Sequence, residues 1–204
     1  MYGGQGTGRF EVDARSPQVT IRNELAVQKV DAKAFFADAF GFDNIEGTAK
    51  LDWGLALTGR TQKEMIGSLT GDGSVTFENG VLKGVDLGGV ARTIRNAMRR
   101  ELVGDRARTG FTRFSAGFRA DRGVIATDSL ALDAQDARLT AIGTLDAGRR
   151  TIDFRLVPRL GAMGLAVPFR VNGPWDAMSY SSDILGRARP EVETKARVIM
   201  GRGR

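Results

Sequence analysis

Few side chains in this 204-residue sequence are of the types that perform covalent or metal chemistry. The chain has no Cys and no His, which excludes thiol nucleophiles, Ser-His-Asp triads, His-ligated metals and the usual general base near neutral pH. The densest carboxylates are Asp128, Asp133 and Asp136, and a carboxylate pair could serve acid–base chemistry or bind a hard cation. The same positions fall at predicted strand ends and turns, where Asp is favoured for its local hydrogen bonds. A structural role is therefore the alternative to the chemical one.

Arginines on one predicted helix are the other charged candidates. The chain carries 30 Lys and Arg against 24 Asp and Glu, a net charge of +6. Helical spacing of apolar residues from Leu87 to Leu102 places Arg92, Arg95 and Arg99 on an amphipathic helix. Such a helix could contact nucleic acid or anionic headgroups, or simply present a solvated face over an apolar stripe. The arginine excess is spread over the whole chain without an RNA-binding aromatic cluster, which disfavours nucleic acid.

Alternation of apolar and polar residues with a period of two dominates the chain and indicates β-strands. The clearest strand is Lys50–Thr58, in which every second residue from Leu51 onward is apolar. Successive strands joined by turns such as Asp121–Gly123 favour an antiparallel meander. Short helices are predicted over 31–40 and 61–69. The predicted fold class is mainly β: a curled antiparallel β-sheet or groove with two or three short helices.

Two irregularities are predicted within these strands. Residues 18–30 form a long strand whose apolar pattern is interrupted at Asn23-Glu24, which indicates a bulge there. Asn79-Gly80 lies between alternating residues and is a strong signal for a hairpin turn.

The chain is long enough for one domain that buries its own core. We expect a flexible Gly-rich N-terminus and first strand over 1–17, the β domain over 18–185, and an Arg-rich tail over 186–204 that is frayed or disordered. No run of apolar residues is long enough to cross a membrane, and the N-terminus does not resemble a signal peptide. The chain is therefore either cytosolic or part of a longer protein.

The apolar faces of the predicted strands remain as a candidate site. The residues that form these stripes are Leu51, Trp53, Leu55, Leu57, Phe114, Phe118, Ile152, Phe154, Val167, Phe169 and Val171. In an ordinary domain they would form a closed core under a second layer. With only two or three short helices to cover the sheet, part of the surface could instead stay open to an acyl chain. Both alternatives fit the pattern.

Three segments resemble the C-terminal region of the AsmA family. The stretch Ser68–Leu87 is similar to a family pattern of a short helix ending in Leu-x-Gly, a turn with Asn-Gly and then Gly-x-Asp-Leu. Phe111–Leu156, with Arg122-Gly123-Val124 and Gly143-Thr144-Leu145-Asp146, and Val167–Trp175 followed by Asp183 follow in the expected order. The resemblance extends over about residues 31–185.

This resemblance implies a Gram-negative envelope protein that lies in the periplasm and is anchored in the inner membrane. Such proteins carry phospholipid acyl chains along a long β-groove between the inner and outer membranes, and contribute to outer-membrane biogenesis and envelope integrity. The family brings no catalytic residue, cofactor or metal, so a protein that is not an enzyme is expected. Because the sequence shows no anchor and little of the N-terminal groove, it is expected to be the C-terminal part of a longer protein.

The expected function is therefore non-enzymatic lipid handling. The apolar residues named above would line the groove, and Arg92, Arg95 and Arg99 would face phosphate headgroups. The alternative is an assembly or scaffold module that binds envelope proteins through a sheet edge or its basic helix. Nucleic-acid binding driven by the net charge is a third, weaker interpretation.

Overall fold

The structure, a computed structural model, describes most of the β domain predicted from the sequence. The described residues are 2–40, 43–83, 108–135, 137–160, 165–166, 168–174, 177–182, 195–197 and 199–200. The predicted helix with Arg92, Arg95 and Arg99 lies outside these ranges, as do Asp136 and Val167.

One antiparallel sheet accounts for nearly all of the described chain. Its strands are β1 (Gln5–Asp13), β2 (Val19–Asp31), β3 (Ile45–Gly59), β4 (Thr70–Lys83), β5 (Arg108–Asp121), β6 (Val124–Asp133), β7 (Ala137–Asp146), β8 (Thr151–Leu160), β9 (Leu165–Ala166), β10 (Phe169–Pro174) and β11 (Ser179–Ser182). Each strand from β1 to β8 pairs with its neighbours in the chain, and β10 and β11 continue the sheet beside β8, while β9 also pairs with β8. The sheet is open, with β1 and β11 as the edges of the described strands. The predicted mainly β, antiparallel fold class is confirmed.

Two short helices, α1 (Ala32–Phe40) and α2 (Gln62–Ser68), interrupt the sheet where the sequence predicts them. Asp31 caps α1, because its Oδ1 accepts a hydrogen bond from the Ala34 backbone N–H at 2.8 Å. At α2 the Thr61 hydroxyl accepts from the Glu64 N–H at 3.2 Å, and the Glu64 carboxylate accepts from the Arg60 N–H at 2.8 Å. The first bond satisfies a backbone donor of the first helical turn, and the second holds the Glu64 side chain against the residue that precedes the cap.

The predicted hairpin at Asn79-Gly80 is wrong, because β4 runs through both residues. Asn79 has a positive φ of 49°, and the pairing of β3 with β4 shifts register between Glu46 and Thr48, opposite this point. A Cβ on Gly80 would lie 2.0 Å from the Glu46 carbonyl oxygen. The Asn-Gly pair therefore forms a β-bulge, which needs the same left-handed backbone as a tight turn.

The bulge in β2 is also displaced from its predicted position. Pairing with β3 is continuous through Asn23 and Glu24, and the register shifts between Val27 and Val30 instead, where Lys29 has a φ of 57°. Asn23 thus keeps its place on the same face of the sheet as Ile21 and Leu25.

The carboxylate of Asp13, at the end of β1, accepts three hydrogen bonds from Arg15. The Arg15 side chain donates to it at 2.9 and 2.7 Å and the Arg15 backbone N–H at 3.1 Å, which lowers the pKa of Asp13 to about 2. A carboxyl group with a lowered pKa stabilises the fold above its usual pKa, and this contribution is lost as the pH falls from about 4 to about 2. Arg15→Ala should return the pKa of Asp13 towards 3.8 in a carboxyl NMR titration. Arg9→Ala is the control and should leave that pKa low, since Arg9 contacts Glu11 instead.

Candidate functional site

Strand register brings the predicted apolar stripes together on one face of the sheet, here called the apolar face. Trp53 of β3 lies opposite Gly73 of β4, which in turn lies opposite Phe118 of β5. Directly opposed residues in a sheet point to the same side. By the same pairing this face carries Leu51, Trp53, Leu55, Leu57, Phe114, Phe118, Ile152, Phe154, Phe169 and Val171, that is, every described member of the predicted set.

One half of the apolar face, here called the sealed half, is closed. A row of opposed residues crosses five strands there: Phe77, Phe114, Leu132, Leu139 and Pro158. Leu51, Leu132 and Pro158 have less than 2% of their surface exposed. Helix α1 packs over the end of this half formed by β3 and β4, because the Phe36 ring lies 5.5 Å from that of Phe77, which stacks on Phe114 at 5.5 Å. Here the face is an ordinary core.

The other half keeps part of its apolar surface exposed and is here called the open strip. A continuous row of opposed positions links its strands: Leu55, Gly71, Ala120, Ile125, Leu145 and Ile152. The larger members of the strip are partly exposed, namely Leu25, Trp53, Leu55, Leu57, Phe118, Ile125, Leu145, Ile152 and Phe154. At about 4.8 Å between neighbouring strands, the strip extends about 30 Å across β2 to β8. The face is thus buried in one half and partly exposed in the other, and whether the exposed half holds an acyl chain stays a prediction.

Helix α2 lies at the far end of the open strip. Gly59 continues the alternation of Leu55 and Leu57 along β3, so it belongs to the same face. A Cβ on Gly59 would lie 2.7 Å from both the Glu64 Cβ and the Met65 backbone N, which places α2 directly over this glycine. The two helices therefore cover opposite ends of the β3 surface, and Trp53, Leu55 and Leu57 between them are partly exposed.

Asn23 is a polar residue within the open strip that the sequence pattern did not identify as part of the site. Its Oδ1 accepts a hydrogen bond from the Trp53 indole N–H at 2.7 Å. The bond satisfies the only donor of the indole, so the ring can lie flat in an apolar surface.

Gly73 provides the space between two aromatic members of the strip. A Cβ there would lie 2.5 Å from the Trp53 Cβ and 2.9 Å from the Phe118 Cζ. The absence of a side chain lets Phe118 lean towards Trp53, so the aromatic surface continues across β4 although that strand contributes no large side chain in this row.

The opposite face of the sheet, here called the polar face, carries cross-strand ion pairs, although Ala126 and Thr144 on this face are buried. Glu11 pairs with Arg22 at 3.7 Å, Glu78 with Arg113 at 3.8 Å, and Asp133 with Arg138 at 3.2 Å. These pairs are exposed and each stabilises the fold only slightly. Asp128 is exposed. Within the described ranges, no group of three or more Asp or Glu residues is placed to hold a metal ion.

The headgroup candidates Arg92, Arg95 and Arg99 and the groove candidate Val167 lie outside the described residues. In the predicted tail, residues 195–197 and 199–200 are helical, and Arg119 of the polar face donates to the Met200 carbonyl at 2.8 Å. None of the helices in the described part of the chain has the length and apolar character that a membrane crossing needs.

Comparison with known proteins identifies one family. A sequence model of the AsmA family matches residues 1–130, which include the Ser68–Leu87 motif and strands β1 to β5. The later segments that resemble the family, Gly143–Asp146 and Val167–Trp175, lie beyond the matched range, and their resemblance stays a prediction. No curated protein and no solved structure matches the chain.

Proposed function

The chain belongs to the AsmA family, which indicates an envelope-related role in lipid handling or assembly, and from this premise we propose that its sheet binds phospholipid acyl chains along the open strip. The proposal is that the domain holds or passes phospholipid between the inner and outer membranes as part of a longer protein. No covalent chemistry is involved, and the protein acts as a carrier surface rather than as an enzyme.

The observation that carries this proposal is the partial exposure of an in-register apolar surface that crosses seven strands. Residues of the sealed half, such as Leu132, are covered by the protein itself, whereas Phe118, Leu145 and Phe154 are not fully covered. Burial of apolar surface contributes about 25 cal/mol per Å². An acyl chain laid along the strip would therefore gain several kcal/mol and would cover surface that water contacts otherwise.

The polar face supports the same proposal. Its exposed ion pairs are suited to water, whereas the larger side chains of the open strip are apolar. We propose a periplasmic location, an inner-membrane anchor in a segment that precedes these residues, and a contact of Arg92, Arg95 and Arg99 with phosphate headgroups. Envelope proteins are further proposed partners.

Phe154→Asp tests the proposal, because it places a carboxylate on the open strip, at the end of the strip that β8 forms. The full chain is incubated with vesicles of phosphatidylethanolamine and phosphatidylglycerol, separated from them, and examined by native mass spectrometry for retained phospholipid. The unmodified chain should retain lipid and Phe154→Asp should lose it, since a carboxylate in contact with an acyl chain is strongly unfavourable. Phe118→Asp, on β5, should have the same effect.

The matched control is Thr140→Asp, which adds the same charge to an exposed position on the polar face of β7. It should retain lipid as the unmodified chain does, and circular dichroism should show the same β content for all variants. Equal lipid retention by Phe154→Asp, Phe118→Asp and the unmodified chain would contradict the proposal, as would an unmodified chain that retains no lipid.

A further inference from the structure

The polar face carries a row of alternating charges that ends in two arginines. Glu78 lies opposite Arg113, Arg113 opposite Asp133, and Asp133 opposite Arg138. Ion pairs join Glu78 to Arg113 at 3.8 Å and Asp133 to Arg138 at 3.2 Å. The next position in the row is Arg159 of β8, which lies directly opposite Arg138. The alternation therefore breaks where a carboxylate is expected, and two positive charges meet.

The strands beside Arg159 do not supply the missing negative charge. Neither described residue opposite Arg159 is acidic, since its partner on β9 is Ala166, a small exposed residue. Like charges directly opposed in a sheet are destabilising. Features that lower stability in this way are typical of binding sites, where function needs a residue that the fold alone does not favour.

Both members of this arginine pair can be reached from solvent. Arg159 is exposed, and 61% of the Arg138 side chain is exposed. The contact with Asp133 uses the Arg138 Nε, and a guanidinium group has four further N–H donors. Asp133 therefore orients Arg138 and leaves donors for a ligand.

A second opposed pair, Arg155 of β8 and Arg170 of β10, is less accessible. The Arg170 Nε donates to the Asp153 Oδ1 at 2.6 Å and its Nη2 bonds to the Oδ2, with the two side chains only 17% and 27% exposed. This pair instead adds positive charge about 13 Å along β8 from Arg159. Strands β7, β8 and β10 together carry four Arg and two Asp, whereas β1 to β4 carry eight acidic and five basic residues. Anions are therefore attracted to the β7–β8 side of the polar face.

We propose that Arg138 and Arg159 bind a phosphate group. The Cβ atoms of directly opposed residues lie about 4.5–5.5 Å apart, so both side chains can reach one anion. A phosphate group has enough oxygens to accept paired hydrogen bonds from two guanidinium groups, whereas one guanidinium already occupies both oxygens of a carboxylate. The phosphate belongs either to a lipid headgroup or to a soluble molecule. The site lies on the face opposite the open strip and does not rest on the proposed lipid function.

Titration of the full chain with inorganic phosphate, followed by ¹H–¹⁵N NMR, tests the site. Backbone signals around residues 138 and 159 should shift and saturate, and sodium chloride at equal ionic strength should not cause the same shifts. Arg159→Gln should weaken phosphate binding at least about tenfold, because a charge-assisted hydrogen-bonded contact is lost. Arg22→Gln is the matched control, since it removes the same charge from an exposed position that pairs with Glu11, and it should bind phosphate normally.

Cosedimentation with phosphatidylglycerol vesicles distinguishes the two sources of phosphate. Weaker vesicle binding by Arg159→Gln than by Arg22→Gln would identify a lipid headgroup. Equal vesicle binding by these variants, with phosphate binding lost only in Arg159→Gln, would identify a soluble phosphate compound. Phe154→Asp should bind inorganic phosphate as the unmodified chain does, so this site and the acyl-chain site can fail separately.

Arg159→Glu tests the origin of the site, because it completes the alternation of charge. It should raise the midpoint of urea unfolding and abolish phosphate binding. A lowered midpoint would mean that the fold itself balances the two arginines, and would overturn the proposal. The absence of a saturable shift with phosphate, or equal phosphate binding by Arg159→Gln and Arg22→Gln, would overturn it as well.

Discussion

Leu51→Ala should lower the free energy of unfolding by about 2–5 kcal/mol, whereas Leu55→Ala should lower it by only about 1 kcal/mol. The two residues lie four positions apart on the same face of β3. Leu51 has no exposed surface and belongs to the core cluster with Phe77 and Leu132, so its truncation removes burial and leaves a cavity. Leu55 is partly exposed, and truncation there removes less burial and leaves a recess that solvent can fill.

Urea denaturation, monitored by circular dichroism, measures the free energy of unfolding of both variants. Both carry the same Leu-to-Ala change on the same face of β3, so the two losses can be compared directly. The difference between the two losses reports how the apolar face is divided between core and open strip. Equal large losses would mean that the face is one closed core, and the surface proposed to hold lipid would not exist.

Many of the strands and turns can be predicted, because the local sequence pattern matches the strand or turn that the structure shows over most of the described chain. The alternation of Lys50–Thr58 lies within β3, and the turn at Asp121–Gly123 joins β5 to β6 with Arg122 and Gly123 at positive φ values of 49° and 77°. Such a turn needs left-handed backbone at both central residues, which Gly adopts readily.

The positions of the bulges could not be predicted, because the same left-handed backbone conformation occurs in hairpin turns and in β-bulges. Asn79 at positive φ is compatible with a hairpin turn and with a bulge, and only the pairing of β3 with both halves of β4 distinguishes them. Asn23 shows the opposite difficulty. A polar residue in an apolar pattern indicates a break, but its partner Trp53 is 30 residues away, so the hydrogen bond that keeps it on the apolar face is not visible in sequence.

The sequence predicts which residues lie on the apolar face, but it does not predict which of them are exposed. Side chains alternate between the two faces of a strand with a period of two residues, so the pattern places Leu51 and Leu55 on the same face and does not distinguish them. Their difference in burial comes from α1, whose Phe35 and Phe36 pack over one end of the sheet, and from α2, which lies over Gly59 at the other. Where a helix packs on a sheet depends on contacts between distant residues, so the boundary between core and open strip appears only in the folded chain.

The hydrogen bond between Asn23 and Trp53 should carry a coupling free energy of at least about 1 kcal/mol in a double-mutant cycle. Asn23→Leu leaves the indole N–H without its partner, and Trp53→Phe leaves the Asn23 amide without its donor, so each single change should lower the free energy of unfolding by about 1–2 kcal/mol. The double variant leaves neither polar group behind and should be more stable than the sum of the single changes predicts.

The same three variants also test whether the Asn23–Trp53 pair contributes to lipid binding or only to the stability of the fold. If the open strip binds acyl chains through apolar contact, the double variant should retain phospholipid at least as well as the unmodified chain, because Leu and Phe keep the surface apolar and remove this hydrogen-bonded polar pair. Asn23→Leu alone should retain less, since its indole N–H would face the acyl chain without a partner. Lipid loss in the double variant as complete as in Phe154→Asp would mean that the Asn23–Trp53 pair recognises a polar part of the lipid, and the strip would then bind headgroups rather than acyl chains.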